Sequence, residues 1–143
     1  MKIITAIGAS IFCYFCAIGV SFAQQQCSLV VIDLGREGVC SAPGVYAGPW
    51  SQKKHGGSCL IANGCEIKAR QTRNTKDCGN GTYVGPEEVR DHGGYCVEVT
   101  GSSFEFVAKE SYSKNCSDGY QYVGAGRPDM HSGHCVRIMR EAN

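Results

Sequence analysis

Short runs in which apolar and polar residues alternate recur along this chain, and no segment keeps a clean helical period for roughly ten residues. Residues 66–70 (EIKAR) and 104–107 (FEFV) alternate as half-buried strands do. Residues 28–32 (SLVVI) are apolar on both faces, which predicts a central strand. Each run opens a unit with the same later landmarks. A cysteine comes first, then a glycine turn (Gly44, Gly81 or Gly119). A short strand follows around Tyr46, Tyr83 or Tyr122 and ends at Gly48, Gly85 or Gly124. After a variable loop comes the run His, any residue, Gly, any residue, Cys, which leads into a third strand at 59–61, 96–99 or 135–138. Glycine serves here as punctuation for turns. The expected fold class is therefore all-β, with about three strands per unit.

The units form an internal repeat. Cys40, Cys78 and Cys116 follow one another at a strict step of 38, and Cys27 and Cys65 are separated by the same step. The third equivalent would fall at Ser103. The repeats span about 27–64, 65–102 and 103–143, with gaps too short to act as flexible tethers. Three equivalent β units without linkers predict one compact pseudo-three-fold unit, β-trefoil-like or β-prism-like. A linear array of three small modules is the alternative.

The N-terminus reads differently. Lys2 precedes an apolar core at 11–20, and Ser21-Phe22-Ala23 offers a small-residue cleavage site. Residues 1–23 are thus expected to be a secretory signal peptide, leaving 24–143 as a single cysteine-rich β domain in an extracellular, oxidising setting. With Cys13 and Cys16 in the leader, the mature cysteines are 27, 40, 59, 65, 78, 96, 116 and 135. An even number in a small exported chain reads as a disulfide framework. If equivalent cysteines make equivalent bonds, the pairs are Cys40–Cys59, Cys78–Cys96 and Cys116–Cys135, with Cys27–Cys65 joining the first two repeats. The competing scheme, Cys27–Cys40 with Cys65–Cys78, gives the third repeat a different bonding plan. No C-x2-C pair occurs, which argues against zinc held by cysteine.

Charge narrows the partner. Of 14 Lys and Arg, Lys2 belongs to the leader, which leaves 13 against 13 Asp and Glu. A zero balance argues against nucleic acid or an anionic membrane surface as partner. No mature stretch has the length of a membrane helix, so no membrane insertion is expected. The basic run Lys68, Arg70, Arg73 and Lys76 occurs in one repeat only and reads as a solvated face.

Three sets of residues are candidates for chemistry. His55, His92 and His131 are equivalent; three imidazoles plus water is a catalytic zinc set, but a turn histidine bonding a backbone carbonyl serves as well. We take the second reading, assign no metal and expect no cofactor. Tyr46, Tyr83 and Tyr122 could stack on sugars, one site per repeat, or fill corners with the hydroxyl bonded to backbone. The loops 49–54, 86–91 and 125–130 share a frame but not a sequence. They carry Trp50, Lys53 and Lys54, then Glu87, Glu88 and Arg90, then Arg127 and Asp129. Loops on a rigid frame are where binding residues collect, and Trp and Arg are common interface anchors. Asn80 and Asn115 head glycosylation sequons.

No nucleophile motif or catalytic carboxylate pair is present, so no enzymatic activity is expected. The function expected is a secreted, monomeric binding protein with an extracellular protein partner, of effector, venom, salivary or defence type. One version is a protease inhibitor presenting Lys53 or Lys54. The alternative is a lectin-like module binding glycan.

Overall fold

The computed structural model describes residues 26–100 and 103–142. The leader expected at 1–23 lies outside these residues. Among the described residues no helix is long and apolar enough to cross a membrane.

The chain is all-β, built as three three-stranded antiparallel sheets. The first contains β1 (Ser28–Asp33), β2 (Val45–Ala47) and β3 (Ser58–Asn63). The second contains β4 (Glu66–Thr72), β5 (Thr82–Val84) and β6 (Gly94–Thr100). The third contains β7 (Phe104–Ser111), β8 (Gln121–Val123) and β9 (Gly133–Arg140). In each sheet the last strand lies in the middle, giving the orders β1-β3-β2, β4-β6-β5 and β7-β9-β8. One-turn helices, α1 (Gln52–His55) and α2 (Val89–His92), occupy the variable loops of the first two repeats.

The register explains the repeated residues. The repeat tyrosine stands directly opposite the closing cysteine: Tyr46 opposite Cys59, Tyr83 opposite Cys96, Tyr122 opposite Cys135. The residue after each of these cysteines, Leu60, Val97 or Val136, is fully buried. So is the residue after each tyrosine, Ala47, Val84 or Val123. Ile67 and Phe106 join them, with Leu29 packed against the cluster. The central strands β3, β6 and β9 therefore supply the core, and this corrects the expectation for β1. Strand β1 is at a sheet edge: Val30 and Ile32 face outward, 44% and 45% exposed, because both β1 and β2 hydrogen-bond to β3.

The register also corrects the cysteine arithmetic in the third repeat. Ser28 faces Asn63, Glu66 faces Thr100 and Glu105 faces Met139, each partner four residues beyond the closing cysteine. Phe104, not Ser103, thus stands where the first two repeats have Cys27 and Cys65. One extra residue precedes β7's pairing, and a step counted from cysteines alone misses it.

The disulfides are Cys27–Cys65, Cys40–Cys59, Cys78–Cys96 and Cys116–Cys135. Three close loops within a repeat, and the fourth ties the start of β1 to the start of β4. Four disulfides in a chain of this size are consistent with an extracellular or secreted protein. Each sheet packs against the other two, through contacts such as β2 with β4, β5 with β7, and β1 with β8.

Candidate metal centre and the loop face

Each variable loop is built the same way. The repeat tyrosine donates its hydroxyl proton to the carbonyl three residues on: Tyr46 to Pro49 (2.7 Å), Tyr83 to Pro86 (2.7 Å) and Tyr122 to Ala125 (3.1 Å). Burial pushes all three phenols well above their ordinary pKa. Their rings lie on Gly57, Gly94 and Gly133, where a β-carbon would overlap them. The glycine two residues after each repeat histidine is thus needed for close approach, not for a turn. The turn falls one residue earlier, at Gly56 (φ 82°) and Gly93 (φ 60°), which end α1 and α2 with a positive φ that favours glycine.

Backbone bonds then link each loop to the next repeat. Trp50 N–H donates to the His92 carbonyl at 2.8 Å, and Gly126 N–H to the His55 carbonyl at 2.8 Å. At the equivalent place in the second loop, Glu87 N–H donates to Ser132 Oγ at 2.9 Å. Ser132 replaces the glycine of the other repeats, and its own proton goes to Glu110 Oε1 at 3.1 Å. The first loop therefore binds the second repeat, the second binds the third, and the third binds the first.

This ring of bonds brings the three histidines together. His55 and His92 end α1 and α2, and His131 ends a matching turn closed by its N–H to the Arg127 carbonyl at 3.1 Å. Ring centroids are 4.9 Å apart for His55–His92, 4.5 Å for His55–His131 and 4.2 Å for His92–His131. One nitrogen from each ring lies within 4.8 Å of the others. All three are half-buried. Desolvation, then the neighbouring imidazoles His131 and His92, hold His55 below the usual histidine pKa. His131 is lowered by desolvation and by His92, with Glu88 opposing. Neutral imidazole is the ligating form. The expected turn role, a ring nitrogen bonded to a backbone carbonyl, is not what these side chains do. Among the described residues no protein hydrogen bond reaches the three imidazoles, and the repeats are tied by the main-chain carbonyls of His55 and His92 and, in the third repeat, by Ser132 Oγ. A cleft of about 200 Å³ opens beside them, lined by Glu87, Glu88, His92, Tyr112, Met130 and His131 among others.

The loop candidates flank the three histidines along the chain, and Glu87 and Glu88 line the cleft beside them. Lys53, Lys54, Glu87, Glu88, Arg90, Arg127 and Asp129 are exposed. Arg127 and Asp129 pair with each other at 3.0 Å. Glu87 accepts a short hydrogen bond from Tyr112. Trp50, 46% exposed, covers Gly93, donates from Nε1 to the Asp91 carbonyl at 3.3 Å and carries the Arg73 guanidinium 4.9 Å above its ring. Within the basic run, Arg73 thus stacks on Trp50, and Lys76 lies 5.7 Å from the Tyr83 ring centroid. Asn80 and Asn115 are exposed.

Three contributors were not singled out from sequence. Gln121 Nε2 donates to the Leu29 carbonyl at 2.6 Å while its Oε1 accepts from Val31 N–H at 3.0 Å, so one side-chain amide pairs the free edge of β1. His134 Nδ1 accepts from Gly85 N–H at 3.2 Å, and Ser58 Oγ from Gly124 N–H at 3.3 Å. Residues 58 and 134 immediately precede the closing cysteine, so comparing repeats position by position could have found this pair.

Comparisons of the chain with protein-family models, with curated proteins and with solved structures find no match.

Proposed function

We propose that this is a secreted, disulfide-stabilised, non-enzymatic protein that binds an extracellular protein partner through the face built by loops 49–54, 86–91 and 125–130. The observation that carries the reading is the adjacency of those loops. The frame that repeats in sequence is used up in holding them, through the tyrosine hydroxyls, the glycines and the cross-repeat N–H bonds. What differs between repeats is exposed on the loops that these bonds join: Lys53 and Lys54, Glu88 and Arg90, Arg127 and Asp129. An asymmetric display of charge on a rigid frame suits one specific partner. The same cyclic bonds support a pseudo-three-fold, β-trefoil-like or β-prism-like arrangement of the repeats.

Two narrower versions are weaker. Lys53 and Lys54 lie in a helical turn rather than an extended segment, which favours surface docking over insertion into a protease cleft. The repeat tyrosines commit their hydroxyls to backbone carbonyls, which favours the loops over a sugar site in each repeat.

The test is capture of extracellular proteins by the refolded mature chain, followed by binding of the captured protein to charge-reversed variants. Lys53→Glu with Lys54→Glu, and Glu88→Lys with Arg90→Glu, are expected to abolish binding, whereas Lys68→Glu on β4 leaves it unchanged. A partner indifferent to both loop variants, or a chain that binds only glycans on an array, overturns the reading.

A further inference from the structure

We propose that His55, His92 and His131 together bind one divalent transition-metal ion of the zinc class, with water in the fourth position. The case rests on how the three side chains are held. Each ends a one-turn segment, and cross-repeat bonds at the carbonyls of His55 and His92 and at Ser132 hold the three turns to one another. The backbone thus presents three imidazoles to a common point before any ion arrives.

The distances suit an ion of this size. Zinc–nitrogen bonds of about 2.0–2.1 Å in a tetrahedron place their nitrogens about 3.4 Å apart. The present nitrogens lie within 4.8 Å of one another, so the widest pair closes by at most about 1.4 Å. Small χ1 and χ2 rotations cover that range.

The chemistry points the same way. These rings face one another edge to face and receive no protein hydrogen bond among the described residues, which leaves their nitrogens free to ligate. Stacking alone does not call for histidine three times over, since aromatic or aliphatic side chains would pack as well without nitrogens to satisfy. An ion satisfies all three at once. Imidazole suits zinc, copper and nickel, whereas calcium and magnesium take oxygen ligands. Three protein nitrogens also leave a zinc coordination position open. The cleft lined by Glu88, His92 and His131 gives water access to it, and the Glu88 carboxylate acts on His131 from that side.

The experiment uses the disulfide-intact mature chain, stripped with chelator and titrated with zinc chloride by calorimetry and with cobalt(II) by visible spectroscopy. One ion per chain is expected, with tetrahedral cobalt bands that zinc displaces. His55→Ala, His92→Ala and His131→Ala each weaken zinc binding by at least about 100-fold, and His134→Ser leaves it unchanged. Because a histidine variant could disturb the loops, imidazole proton resonances are followed in the unsubstituted chain as zinc is added. Those of His55, His92 and His131 shift, and those of His134 do not. No saturable one-to-one binding, binding that survives the three alanine variants, or zinc shifts confined to other residues overturns the proposal. None of these readouts depends on a protein partner, so the loop-face reading and the metal site fail separately.

Discussion

The ring of Tyr83 lies against Gly94, so close that a β-carbon there would fall 2.5 Å from Cε2 and from the phenolic oxygen. Tyr46 on Gly57 and Tyr122 on Gly133 repeat the relationship. A methyl group at position 94 therefore forces the tyrosine off the sheet or opens the strand. Gly94→Ala is expected to destabilise by about 1–3 kcal/mol, the usual range for overpacking. Gly126→Ala is the control: its β-carbon would meet only the His55 carbonyl, at 3.6 Å, an ordinary contact. Urea midpoints by circular dichroism should drop for the first variant and stay within error for the second.

The hydroxyl of the same tyrosine has a separable role. It lies 2.7 Å from the Pro86 carbonyl and 3.3 Å from that of Gly93, and the residue is 8% exposed. Tyr83→Phe keeps the ring on Gly94 and leaves a buried carbonyl without its donor. The expected loss is about 1–2 kcal/mol, read from denaturant midpoints. An unchanged midpoint would show that the carbonyl finds another partner.

These two contacts show what the sequence could and could not convey. The strand positions follow from alternation and from the cysteine, tyrosine and glycine landmarks, because each repeat writes the pattern again. Strand order did not follow: 28–32 is apolar on both faces, yet β1 is an edge, since pairing depends on which strands share β3 and not on hydropathy. The one-residue offset at Phe104 is invisible to a count between cysteines. The convergence of the three histidines is a tertiary fact. Identical residues one repeat apart can lie far apart or close together, and only the bonds from Trp50, Glu87 and Gly126 decide which.

Trp50 couples the first loop to α2. Its indole covers Gly93, its Nε1–H reaches the Asp91 carbonyl, and Arg73 stacks on its outer face. Trp50→Ala is expected to cost about 1–2 kcal/mol, discounted from full burial because the side chain is half exposed. Trp50→Phe keeps much of the ring contact and should recover at least half of that. Equal losses for both would assign the contribution to the indole N–H bond alone.

The disulfides should differ in weight. Cys27–Cys65 spans 38 residues and joins two repeats, whereas Cys40–Cys59 spans 19 within one. In the chain-entropy model, replacing both members of the pair by serine costs about 4 kcal/mol for the first and about 3 kcal/mol for the second. Thermal unfolding of the two double-serine variants checks the order. A smaller loss for the 38-residue link would show that residual structure in the unfolded chain already keeps the first two repeats together.

His134 makes stability depend on pH. It is 9% exposed, and burial followed by repulsion from Lys76 lowers its pKa from 6.5 to about 4. Its Nδ1 must be unprotonated to accept from Gly85 N–H. Between pH 6.5 and 4 the unfolded chain therefore binds a proton that the folded chain refuses. Stability from this group is full above pH 6.5 and falls as the pH drops toward 4, by up to about 3 kcal/mol. His134→Ser, which installs the residue the first repeat carries at Ser58, removes that dependence and retains an oxygen as acceptor. Other groups contribute to the pH dependence as well, so the informative quantity is the difference between the two proteins. Urea midpoints measured from pH 7 to pH 4 should fall more steeply for the unsubstituted chain. Parallel curves would mean that the folded protein takes up the proton at His134 near its ordinary pKa.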